Sequence, residues 1–451
     1  MRVTIIGAGS AVFAAELIKD ILLIPDVDGG TFALVDVDPE RLEVTTRLAH
    51  LLVARTGKRW DIVAGRDRRE MLPGSDYVIN CIEVAGPQNV RREYEIPLGY
   101  GVDQCIGDTI GPGGLFKALR TLPAWLSILR DVEELAPRSL VMNYTNPMSL
   151  TVLAGCRATD LRIVGLCHSI QNTSHQIASY LGLPYESVHW RAAGINHLAW
   201  FVELADRRGA SLYPLLRSRA REPEVRARDP VRFELMEHLG VFMTESSGHV
   251  SEYLPWIRKR PDIVAEVCGP GELGGSGYYV SAWPAEREDG RRMLAELQRS
   301  MPPLSRSMEF ASTIIEAETT NRPAVVYANV PNTGGLIANL PPDGVVEVAC
   351  LVDGKGVQPT HFGSLAAHLA TLNYQHMAFH DCVVRSVLEE DREAAEHALM
   401  IDPLTSAVCS LREIRAMFME LVEAERDYLP AYLHARPVTP PGRGGSRKEA
   451  V

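Results

Sequence analysis

The sequence predicts an α/β protein whose N-terminal part is a Rossmann-type, doubly wound, mostly parallel sheet, followed by an α+β C-terminal part. Three observations carry this. Short apolar, β-branched runs alternate with helical stretches through the first third of the chain. A glycine-rich turn, GAGS, follows the first of those runs. Of 451 residues, 46% are hydrophobic and 23% charged, enough apolar material for a sizeable core.

In chain order, strands are expected at 3–6, 31–35, 77–81, 140–143 and 162–166, and helices at 11–23, 39–55 and 115–136. The glycine-rich loop 107–114 (GDTIGPGG) opens the third of these helices. From about residue 195 the rhythm becomes irregular. Helices are expected at 229–239 and 289–301, a strand pair at 324–329 and 345–351, and helices at 364–387 and 391–402. This divides the chain into a dinucleotide-binding domain, 1–194, and a catalytic and oligomerisation domain, 195–436. Residues 437–451, rich in Pro, Gly, Arg and Lys, are expected to form a mobile tail.

The formal charge of −11 disfavours nucleic acid and anionic membrane surfaces as partners. No run approaches the roughly 20 apolar residues that span a bilayer. The first residues, MRVTIIGAGS, read as a strand and not as a signal peptide, and the eight cysteines form no CxxC pair. Reduced thiols and a cytoplasmic location are therefore expected.

Gly7, Gly9 and Ser10 lie between strand and helix, where a tight turn and a helix N-terminus can receive a pyrophosphate. Val12 stands where the usual third glycine would be. Asp36 ends the second apolar run, FALVD, where a carboxylate accepts ribose hydroxyls and repels a 2′-phosphate, so NAD is favoured over NADP. Asp38 is a neighbouring alternative for that role, and both aspartates suit turns or caps as well.

Several reactive groups sit where parallel strands end, the edge at which ligands bind in such sheets. Cys167 and His168 close GLCHS, and Asn196 and His197 lie in AGINH. Thiolate and imidazole together suit a metal, and by themselves would suggest zinc. Asn143, Tyr144 and Asn146 in NYTNP offer amides for sugar or ribose hydroxyls, or for turn formation before Pro147. Asp108 belongs to the glycine-rich loop, as a ligand group or a helix cap. The stretch TESSGHVSEYLPW gathers Glu245, His249, Glu252 and Tyr253. Trp200, Trp256, Tyr278 and Tyr279 are aromatic candidates for stacking on a sugar.

Taken in order, GAGS, IGDTIGPGGLFKALRTLP, NYTNPM, VGLCHSIQNT, AGINHLAWF, TESSGHVSEYLPW, NVPNTGGLIANLP and VVEVACLVDGKGVQPTHFGSL closely resemble glycoside hydrolase family four, the NAD- and manganese-dependent glycosidases. The resemblance covers residues 1–435. Cys-His-Ser after the strand is similar to the α-galactosidase branch; the 6-phospho-glycosidases have Cys-Asp there. The resemblance implies a lactate/malate dehydrogenase-like fold, a homodimer or homotetramer, and a small α-glycoside as substrate. It implies Cys167 and His197 as manganese ligands, Tyr253 as base, Asp108 as its support and Asn146 as a substrate contact. His168 takes the position of the presumed acid.

The implied reaction departs from two-carboxylate glycosidase chemistry. NAD⁺ removes hydride from sugar carbon 3, the metal polarises the ketone, and Tyr253 takes the carbon-2 proton. The aglycone then leaves with a proton from His168 or water, water adds at carbon 1, and the hydride returns. Alternatives within the family are α-glucosidase, α-glucuronidase and α-galacturonidase. A uronate would need a cation at carbon 6, for which Arg91, Arg92 and Arg258 are all open. From another class, a simple NAD-dependent hydroxy-acid dehydrogenase competes.

Overall fold

The computed structural model describes residues 1–286 and 304–434, together with 292, 295, 296 and 299. The expected tail at 437–451 and most of the expected helix at 289–301 lie outside the described residues.

The strands are β1 (Arg2–Ile6), β2 (Gly29–Val35), β3 (Arg59–Gly65), β4 (Tyr77–Asn80), β5 (Leu140–Asn143), β6 (Arg162–Gly165), β7 (His189–Ile195), β8 (Leu198–Ala205), β9 (Phe242–Met243), β10 (Ala324–Pro331), β11 (Val345–Asp353) and β12 (Gly356–Pro359). They form one 12-stranded sheet in the order β3-β2-β1-β4-β5-β6-β10-β11-β7-β8-β9, with β12 on β11. The strands β3 to β6 pair in parallel, and β1, β4 and β5 are buried on both faces as Val/Ile/Leu runs require. The remainder pairs antiparallel, starting where Asn329 of β10 meets Gly165 of β6.

The helices that matter for the site are α1 (Ala11–Leu22), α2 (Pro39–Thr56), α3 (Gly111–Leu135), α4 (Ser169–Leu181), α5 (Ser247–Tyr253) and α6 (Ala367–Glu389). Asp38 caps α2, its carboxylate accepting from Glu40 N and Arg41 N. The helix α3 begins four residues before the expected 115, because Pro112 sits in its first turn, where a missing N–H costs nothing. Ile110 is its N-cap and no side chain caps it, so Asp108 is not spent as a helix cap.

One expectation needs correction. The strands β3, β7, β8, β9 and β12 are not among the expected ones; β3, the edge strand, buries only Trp60, so RWDIVAG carries little hydrophobic signal. The expected division after 194 falls inside β7, and one sheet runs unbroken through both halves, because β10 and β11 bridge β6 to β7. Among the described residues no helix is long and apolar enough to cross a membrane.

Candidate active site

The loops after β1, β2, β4 and β5 open on one edge of the sheet and line a cavity of about 770 Å³. Its walls include Gly7, Gly9, Ser10, Asp36, Asp108 and Asn146. Gly7 takes a left-handed φ of +84°, and a Cβ there would lie 2.6 Å from the Cys81 carbonyl. At Gly9 a Cβ would meet Asp36 Oδ2 at 2.7 Å, and the Gly9 N–H itself donates to that oxygen at 2.7 Å. Asp36 is thereby fixed at the rim, while Asp38 is occupied as the α2 cap. Turn, helix N-terminus and carboxylate stand in the arrangement that cradles a dinucleotide.

Beyond Asp108 lies a second, drier set of groups. His197 closes the β7–β8 hairpin, whose last pair is Ile195 with Leu198, and holds a left-handed φ of 62°, unusual for a side-chain-bearing residue. Its Nδ1 is 2.9 Å from Thr109 Oγ1 and 3.1 Å from the Tyr253 hydroxyl, and its Nε2 is 3.4 Å from Glu245 Oε2. His249 lies 3.5 Å from Glu245 and 3.6 Å from Asp108. Asn146 Nδ2 donates to Asp108 Oδ2 at 2.9 Å, linking the cluster to the cavity. Tyr253, the last residue of α5, is almost completely buried. The preceding Glu252 accepts from the N–H groups of Cys105, Ile106 and Gly107 at 2.6, 3.0 and 2.8 Å, which pins the Asp108 loop against α5.

Burial works against the Glu245 carboxylate, yet His197 and His249 bring it down to about 2. Burial likewise opposes ionised Asp108, and the His249 hydrogen bond and charge outweigh it. His249 is itself lifted to about 9, against burial, by Glu245 and Asp108, so it carries a proton between two carboxylates. Burial, reinforced by Asp108, Glu245 and Glu252, keeps the Tyr253 phenol neutral. The Cys167 thiol is held neutral by burial with Glu245 and Glu347.

Cys167, His197 and Glu245 each place one ligand atom within 4.8 Å of the others, as do Asp108, His197 and His249. The donor set fits a divalent cation. A carboxylate added to thiolate and imidazole makes the site harder than the zinc pair read from the sequence, and so more suited to manganese. A cation there would also favour the ionised forms of the thiol and phenol that burial now disfavours.

The remaining sequence candidates divide. His168 is partly exposed, its Nδ1 3.0 Å from Glu309 Oε1 and its ring 6.3 Å from Phe13, a wall of the cavity. Asn143 is a correction. It is fully buried, donates to Thr145 O and Thr151 Oγ1, accepts from Asn80, and does not line the cavity. Its amide is used to hold the β5 loop that presents Asn146. Trp200 is core and donates to Asn373, while Tyr279 lines the cavity together with Trp283. Glu245 and His249 were visible in the polar stretch but had no role there. Lys117, buried and 2.9 Å from Glu83 on the cavity wall, was missed altogether. The helical period of α3 reads it as one more position on an amphipathic helix.

Comparison with known proteins gives the family. The family described as family 4 glycosyl hydrolase matches residues 2–183, and its C-terminal domain matches 192–405. An α-galactosidase of Bacillus subtilis (strain 168) is 38% identical over 437 residues, covering 96% of this chain and 99% of the relative. One of Rhizobium meliloti (strain 1021) is 34% identical over 447 residues, covering 96% and 90%. A solved 6-phospho-alpha-glucosidase from gut microorganisms, in complex with NAD and Mn2+, superposes with a TM-score of 0.77 at 19% identity, over 95% of this chain and 99% of that one. The chain belongs to family 4 of the glycosyl hydrolases.

Proposed function

We propose that this glycosidase hydrolyses α-galactosides with NAD in the cavity and Mn2+ held by Cys167, His197 and Glu245. The observation that carries the reading is the contact between the two sets of groups. Asp108 and Asn146 belong both to the cavity wall and, through His249, to the cluster around Tyr253 and His197. When bound, NAD and Mn2+ supply a hydride acceptor for sugar carbon 3 and a Lewis acid that acidifies the neighbouring carbon-2 hydrogen.

The chain's own residues do the rest. The unpaired first-turn N–H groups of α1, presented by the Gly7–Ser10 turn, receive the pyrophosphate and Asp36 the ribose. Tyr253, as phenolate, takes the carbon-2 proton, its oxygen held beside His197 Nδ1 at 3.1 Å. Asp108 orients Asn146 toward the sugar and His249 toward Glu245. His168, tethered by Glu309, gives a proton to the departing glycosidic oxygen.

A neutral sugar is favoured over a uronate. Arg41 and Lys117, the cations among the described cavity residues, are each paired with a carboxylate, Asp38 and Glu83. Arg258 is buried and bonded to Asp103, Ser251, Gly274 and Ser276, and Arg91 is exposed and pairs with Glu95. The α-galactosidase relatives point the same way. The test is nitrophenol release from para-nitrophenyl α-galactoside with NAD⁺, Mn2+ and thiol, then with each omitted. Release that disappears without NAD⁺ or Mn2+ supports the reading. Release that persists without both contradicts it, and no release with everything present moves the specificity to a glucoside or a uronide.

A further inference from the structure

The helix α6 runs beneath the site without reaching the cavity, and its buried face is mostly apolar: Leu369, Ala370, Met377, Phe379, Val383 and Val384. Four polar side chains, Asn373, His376, His380 and Ser386, interrupt that face, and the first two bond to the segments that carry His197 and Tyr253. Asn373 is fully buried and His376 is nearly so, three residues apart and hence on the same side of the helix. Asn373 Nδ2 donates to Leu198 O at 2.6 Å, and its Oδ1 accepts from Trp200 Nε1 at 2.9 Å. His376 Nε2 donates to Tyr253 O at 2.8 Å.

Both bonds end on main-chain carbonyls beside the chemistry. Leu198 directly follows His197, whose left-handed backbone needs surrounding contacts to hold it. Tyr253 ends α5, where a helix carbonyl has no partner of its own. A carbonyl acceptor requires the hydrogen on Nε2, and burial, which brings His376 down to about 4, keeps the ring neutral with that single donor. An all-apolar face would pack α6 equally well. It would not tie two segments, one bearing His197 and the other Tyr253, to a common rod.

We propose that Asn373 and His376 are positioning residues that set the spacing between the metal ligand His197 and the base Tyr253, Asn373 through β8 and His376 through the end of α5. The inference rests on the functional reading above and adds a division of labour within it. Asn373 governs the metal ligand, and His376 governs proton removal at carbon 2.

The test compares Asn373→Leu, His376→Leu and His376→Gln in the full-length protein. Three readouts are used: Mn2+ affinity without sugar, from the paramagnetic signal of free Mn2+; solvent deuterium entering carbon 2 during turnover; and the thermal midpoint. Asn373→Leu is expected to weaken Mn2+ binding about tenfold, the usual size for a residue supporting a ligand. His376→Leu is expected to leave Mn2+ affinity within about twofold and to slow carbon-2 exchange about tenfold or more at unchanged KM. His376→Gln, which keeps a donor, should recover most of that exchange. Should Asn373→Leu not fold, Asn373→Ser removes the same donor with less bulk. Variants that lose metal affinity and exchange together, in proportion to their thermal midpoints, would overturn the positioning role, as would variants that change neither. A wild-type protein that binds no Mn2+ would overturn the functional reading itself.

Discussion

The dinucleotide cavity takes its walls from the ends of neighbouring parallel strands. The cluster around His197 and Tyr253 draws its side chains from residues 108, 167, 197, 245, 249 and 253 on both halves of the sheet. In the cavity each feature rests on nearby backbone: Gly7 on its φ of +84°, Asp36 on the N–H groups of Gly9 and Asp38. In the cluster no group is independent, since His197 touches Thr109, Tyr253 and Glu245, and His249 lies between Glu245 and Asp108. Changes in the first region should therefore act locally on cofactor affinity. Changes in the second should spread through a buried network whose charges depend on one another.

The sharpest way to break that contrast is Tyr253→Phe, expected to cut kcat by about 10²–10⁴-fold, the range of a positioned base, with NAD affinity unchanged. Fluorescence titration of NAD beside steady-state rates checks both halves. Cys167→Ser comes next, with Mn2+ affinity and activity falling about a hundredfold and NAD binding nearly intact; wild-type turnover at limiting Mn2+ would remove Cys167 from the ligand set. In the cavity, Gly9→Ala should weaken NAD about tenfold by forcing Asp36 and Arg41 aside, while Mn2+ affinity stays put. A drop in Mn2+ affinity there would mean that the two regions are coupled after all.

The smallest expected effect is on stability. Burial lowers His376 to about 4 from an ordinary 6.5, so the unfolded chain binds the proton first as pH falls. Stability from this group is complete above about pH 6.5 and is lost as pH falls toward 4, with about 1 kcal/mol gone by pH 6. Urea midpoints of wild type and His376→Gln between pH 7 and 5 should converge if His376 is the group responsible.

The same contrast explains what could be read from the sequence. The strands β1, β2, β4, β5 and β6 were legible because burial on both faces leaves unbroken apolar runs, and the GAGS turn and Asp36 because their spacing is local. The strand β3 was not, since an edge strand with one buried side chain resembles a loop. In the cluster, Cys167, His197 and Tyr253 were named through resemblance. Glu245 and His249 stood in view, but only folding brings them to His197. Asn143 illustrates the reverse error: two asparagines three residues apart look alike in sequence, yet one holds Asp108 at the cavity and the other holds its own loop. Asn373 and His376 gave no signal, because a buried polar residue in a helix declares itself only through its partner.

Removal of the carbon-2 proton by Tyr253 is the step on which the proposed reaction depends. It is tested most directly by running turnover in deuterium oxide with NAD⁺ and Mn2+ and examining the released sugar by mass spectrometry and proton NMR. One solvent deuterium is expected at carbon 2 of the wild-type product, and none is expected from Tyr253→Phe. A wild-type sugar released at full rate with its original hydrogen at carbon 2 would contradict it.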